Sequence, residues 1–139
     1  MDIEDIAKEI VDASFKIHKD LGPGLLESVY ESIPEKSLTK KGFFVERQKP
    51  VIFEYDGITF NDGFRVDLLV ERSIVLELKS IEILAPVHAQ QLLTYLKLLH
   101  LPIGFLINFG AGTMKEGLRR IVNEYTPTPN NPLLINKTK

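Results

Sequence analysis

Cysteine and tryptophan are both missing from the 139 residues. Without cysteine there is no disulfide framework, no thiolate metal centre and no thiol nucleophile, a composition at home in a reducing compartment. Nor is there a run approaching the ~18–20 apolar residues that a membrane-spanning helix requires. The opening Met1-Asp2-Ile3-Glu4-Asp5 is acidic where a secretory leader is basic and then apolar. A cytoplasmic location without membrane contact is therefore expected. Basic excess is lacking as well: 17 Lys and Arg stand against 19 Asp and Glu, a net charge of −2. That weighs against a protein that coats nucleic acid by charge alone, though not against one that grips phosphates locally. The three histidines, His18, His88 and His100, have no zinc-ligand spacing. No serine stands in a nucleophile-elbow context. Gly110-Ala111-Gly112 lacks the lysine of a phosphate loop.

What remains is 44% apolar and 26% charged, the balance of one soluble globular domain. Ile3, Ile6, Ala7, Ile10, Val11, Ser14, Ile17 and Leu21 recur at helical spacing, which predicts an amphipathic helix over 3–20, stopped by Gly22-Pro23-Gly24. A second helix is expected from about Leu25, with Leu26, Val29, Tyr30 and Ile33 inward. Pro34 should interrupt it, with a kink or a restart at Ser32-Ile33-Pro34-Glu35, and its end falls at Lys40-Lys41-Gly42. Strand signals follow at 43–45, 51–55, 58–60, 64–70 and 74–79. Pro50 marks an edge or a bend, Asp56-Gly57 a hairpin turn, and Glu71-Arg72-Ser73 a tight connection. Residues 87–100 return to helical spacing through Val87, Leu92, Leu93, Leu96 and Leu99. The apolar run 103–109 reads as a doubly covered strand and 114–122 as a last helix. The domain is thus expected over 1–123, with 124–139 a proline- and asparagine-rich, disordered tail. A meander followed by a helical crossover gives a mixed α/β (α+β) fold, a mixed sheet flanked by helices.

The chemistry concentrates in Phe64–Val70 and Ile74–Lys79. Glu77 and Lys79 share one strand face because strand side chains alternate. If 71–73 form a three-residue connection, 70 pairs with 74 and Asp67 falls opposite Glu77, with side chains roughly 5 Å apart. Two such carboxylates among apolar residues repel unless a proton or a cation lies between them, and Mg²⁺ takes one or two carboxylates plus waters and phosphate. Arg65, two residues before Asp67, suits either a phosphate or neutralisation of the carboxylates. Alone, a D…ExK pattern is more often the solvated face of a half-buried strand. Gln91 and Tyr95, four apart on the following helix, bring an amide and a phenol to one face. Glu27 and Tyr30, three apart, share a face of the second helix, although a glutamate near a helix start is favoured by the dipole alone.

In this order the segments resemble the GxxExxY family of the PD-(D/E)XK nuclease superfamily, over roughly residues 5–123. The motif residues are Gly24, Glu27 and Tyr30, then Asp67, then Glu77-Leu78-Lys79, then Gln91 with Tyr95; Pro86-Val87-His88 and Leu106-Ile107-Asn108-Phe109 are similar too. Val66 stands where a proline is common, and Pro34 falls in a helix that such chains usually run through unbroken. The resemblance implies a restriction-endonuclease-like αβββαβ core and hydrolysis of nucleic acid, DNA ahead of RNA. It also implies Mg²⁺ or Mn²⁺ held by Asp67, Glu77 and the Leu78 carbonyl. Lys79 would position or activate water, Glu27 would assist, and Gln91 would orient the reacting groups. Arg65, Tyr95 and Tyr30 are the expected substrate contacts. The alternative is a catalytically inactive scaffold that binds nucleic acid or a protein partner.

Overall fold

The computed structural model describes residues 1–125. Helix α1 (Ile3–Leu21) buries Ile6, Ala7, Ile10, Ser14 and Ile17 of the expected stripe and Ala13 beside them, with Ile3 and Val11 partly buried. Glu4 and Asp5 in its first turn and His18 and Lys19 in its last complement the helix dipole. It stops at Gly22, whose φ of 70° is open to glycine without strain. Leu21, expected inward, is exposed.

Helix α2 (Glu27–Lys40) differs from expectation in two ways. It begins at Glu27 because Leu26 is an extended N-cap residue, solvent-exposed rather than inward. It also runs through Pro34 without a restart. Pro34 is buried, as are Tyr30, Glu31 and Leu38 of the same helix, and that burial offsets the backbone bond it cannot make.

The sheet has five strands in the order β1-β2-β3-β4-β5: β1 (Val45–Tyr55), β2 (Ile58–Val70), β3 (Ile74–Lys79), β4 (Ile103–Asn108) and β5 (Leu118–Val122). Neighbours are antiparallel except β3 and β4, which the crossover helix α3 (Pro86–Leu99) makes parallel. The segments expected on either side of Pro50 are one strand, and so are 58–60 and 64–70; a register shift between Val51 and Phe53 absorbs the irregularity. Pro50 lies on the edge strand, where its missing donor costs least.

The helix expected over 114–122 is corrected. Only Met114–Gly117 (α4) is helical, capped by Thr113 accepting from the Glu116 amide, and Leu118–Val122 pairs with β4. A β-carbon on Gly117 would collide with the Asn108 carbonyl, so the turn packs too closely on the end of β4 for a larger residue. The chain then satisfies its backbone groups on the otherwise open edge of β4.

One side of the sheet buries α1, α2 and α4 around Ile10, Tyr30, Leu68, Leu76, Phe105 and Phe109. The other buries α3 through Leu92 and Leu96 against Val66, Val75 and Leu106. Val87, expected inward on α3, is exposed. Tyr125, which the sequence assigns to the tail, packs on the core, and its hydroxyl donates to Glu4. The rest of that expected tail lies outside the described residues.

Candidate metal centre

The tight turn after β2 sets the register: Val70 pairs with Ile74, Leu69 with Val75 and Leu68 with Leu76. The next positions are Asp67 and Glu77, where the ladder gives way to side-chain bonding. Asp67 Oδ2 accepts from the Leu78 amide at 2.8 Å, and Oδ1 accepts from Gln48 Nε2 at 3.1 Å. Glu77 is 8% exposed, and its Oε1 has no hydrogen-bond partner among the described residues. Burial pushes its carboxyl up to about 10 and the neighbouring Asp67 charge adds to the shift, while the Lys79 ammonium opposes it. Metal-free, Glu77 is therefore held in its protonated form at pH 7.

Helix α3 closes one flank. Tyr95 stacks on Phe64 with ring centroids 4.1 Å apart. Its hydroxyl titrates above the ordinary phenol value because of burial and the charges of Glu77 and Asp67, with Gln91 pulling it the other way. Gln91 itself is exposed one turn earlier. Asp67, Glu77, Lys79, Tyr95 and Gln91 thus form one group.

The other expected residues lie differently. Tyr30 is fully buried, stacked on Phe109 at 4.6 Å, with its hydroxyl donating to the Gly22 carbonyl and accepting from the Leu25 amide. It cannot touch a substrate; it closes the loop between α1 and α2. Ser80, next to Lys79, donates to the Leu25 carbonyl at 2.8 Å, which docks that loop against the end of β3. Glu27 opens α2 just beyond this dock, with its side chain exposed. Arg65 pairs with Asp62 at 3.5 Å and is half open to solvent. Asn108, fully buried, bonds both the amide and the carbonyl of Ile81 and so fixes the chain that leaves β3.

Two residues were missed by sequence reasoning. Glu31, 7% exposed on α2, accepts from Arg47 Nε and from Gln48 Nε2, each at 2.9 Å. Gln48 joins it to Asp67. The available signal was a glutamate one turn after Glu27, next to the inward Tyr30.

Among the described residues no three His, Cys, Asp or Glu side chains form a ready metal cage. Two carboxylates suffice for Mg²⁺, which keeps most of its waters. An orphaned, buried carboxylate oxygen beside a second carboxylate fits a hard cation, so the residues present suit the metal.

A five-stranded mixed sheet flanked by helices, with an Asp opposite a Glu-X-Lys strand end, defines a restriction-endonuclease-like α/β protein. The PD-(D/E)XK nuclease superfamily model matches residues 4–121, and the chain belongs to that superfamily. Nothing matches among curated proteins or among solved structures. Among the described residues no helix is long and apolar enough to cross a membrane.

Proposed function

We propose that the protein is a metal-dependent phosphodiester hydrolase, a nuclease of the GxxExxY kind, acting on DNA ahead of RNA. The observation that carries this reading is the buried, unpartnered Glu77 Oε1 beside Asp67. Two carboxyl groups this close, one of them buried, need either a proton or a cation between them, and a hard divalent cation can take the proton's place.

Asp67, Glu77 and the Leu78 carbonyl would hold Mg²⁺ or Mn²⁺, which supplies an acidified water and charge stabilisation at the phosphate. Lys79, beside Glu77, orients the attacking water or a phosphate oxygen. Tyr95 and Gln91 cover the α3 side and orient the phosphate. Glu27 lines the mouth at the start of α2, and Arg65 meets the nucleic acid further along β2. Tyr30 acts at a distance by holding the loop that precedes Glu27.

The competing reading is an inactive scaffold that binds nucleic acid or a protein partner, favoured by the net charge of −2. Calorimetry with Mn²⁺ followed by incubation with linear DNA separates the two. Binding together with cleavage supports the nuclease, whereas binding of DNA with neither metal binding nor cleavage supports the scaffold.

A further inference from the structure

Gln48 occupies a backbone conformation with φ of 51°, a left-handed region that residues other than glycine seldom adopt, least of all within a strand. On either side of it the β1–β2 ladder is regular, with Arg47 opposite Leu68 and Lys49 opposite Val66. Between these pairs Gln48 comes opposite Asp67, and the two do not pair through their backbones. A glutamine serving only the sheet would keep the extended backbone and the ladder bond. This one forgoes both.

What it gains is a side-chain bridge. Its single amide nitrogen donates to Glu31 Oε1 at 2.9 Å and to Asp67 Oδ1 at 3.1 Å, which uses both amide hydrogens. Glu31 is fixed in turn by Arg47, whose guanidinium also donates to the Ser28 carbonyl at 3.2 Å and lies 3.5 Å from Glu35. The Leu78 amide holds the other oxygen of Asp67. Both carboxylate oxygens are thereby tied to rigid parts of the fold, and each keeps a further lone pair for a cation.

We propose that Gln48 is a positioning residue for the metal ligand Asp67, anchored by Glu31 on α2. This rests on the metal reading above. Partners of metal ligands fix ligand orientation, and their loss typically weakens metal binding about 10- to 100-fold. Glu31 acts in this arrangement only through Gln48, so the two effects are not independent.

The test is Mn²⁺ calorimetry on the wild-type chain, Gln48→Met, Gln48→Gly, Glu31→Leu and the Gln48→Gly/Glu31→Leu double variant, with thermal melts of each. Gln48→Gly removes the amide and suits the left-handed backbone, so it keeps the test valid if Gln48→Met does not fold. The expected result is about a 10- to 100-fold loss of Mn²⁺ affinity in either Gln48 variant. Glu31→Leu should weaken binding alone and add nothing on the Gln48→Gly background. Wild-type affinity in a folded Gln48 variant overturns the positioning role alone. A further loss from Glu31→Leu on the glycine background means that Glu31 meets the cation itself, and overturns the relay. Failure of the wild-type chain to bind Mn²⁺ overturns the metal reading and this inference with it.

Discussion

Asp67 stands opposite Glu77 one position beyond the last backbone pair of β2 and β3, where an Asp67 oxygen takes the Leu78 amide in place of a strand partner. This single substitution of a side chain for a ladder bond puts two carboxyl groups in one small, mostly buried space.

Glu77 is neutral in the metal-free fold at pH 7, because its carboxyl titrates at about 10 against an ordinary value of 4.5. A carboxyl raised on folding contributes its full stability below the unfolded value and loses it as pH rises through the folded one. In chelator, the wild-type chain should therefore lose stability steadily from pH 5 to pH 9. Glu77→Gln, a neutral isostere, should melt progressively higher than wild type across that range. Parallel melting curves at all pH values would contradict the assignment.

Metal binding near pH 7 must displace that proton. Mn²⁺ calorimetry in two buffers of different ionisation enthalpy should report close to one proton released per site, and affinity should increase with pH. At 100 times the dissociation constant, Mn²⁺ should add about 2.7 kcal/mol to stability.

Lys79 flanks Glu77 without displacing it, so its loss should fall on the chemical step. Lys79→Ala should retain Mn²⁺ affinity within a few fold while the cleavage rate drops about 10²-fold or more. An equal loss in both would make it part of the metal's own shell.

Tyr30 is a lock for the α1–α2 loop. Tyr30→Phe strands the Leu25 amide and the Gly22 carbonyl, at a cost of about 1–2 kcal/mol read by denaturant unfolding. Mn²⁺ affinity should stay unchanged.

Glu4 joins Arg120 and Tyr125 at 2.7 Å each, and the Arg120 hydrogen bond holds its carboxyl below the ordinary 4.5. The contribution is present above pH 4.5 and lost as pH falls through the lowered value. The pair is partly exposed, so Glu4→Gln should cost below about 1 kcal/mol at pH 7 and nothing at strongly acidic pH. Thermal melts of the two chains across acidic pH measure this.

How far the sequence spoke depended on whether local pattern and tertiary pairing agreed. The Asp67–Glu77 register was legible because three residues, Glu71 to Ser73, leave one natural pairing, and Glu71 and Arg72 take the left-handed backbone that it needs. Gln48 is not legible, because a residue that leaves the β conformation within a strand breaks the alternation by which faces are read. The segment of β5 suits a helix as well as a strand in the sequence, because Leu118 and Ile121 are three apart, which fits either structure over five residues; the open edge of β4 decides between them. Leu26 and Val87 matched apolar periodicity at helix ends, where the first turn faces solvent.

Everything chemical proposed for this fold depends on a cation joining Asp67 to Glu77. The most direct measurement is hydrolysis of linear DNA with Mg²⁺ or Mn²⁺ by the wild-type chain and by Asp67→Ala, with folding of both verified. Metal-dependent cleavage by the wild type, lost in Asp67→Ala, is the predicted result. Undiminished cleavage by Asp67→Ala would contradict it.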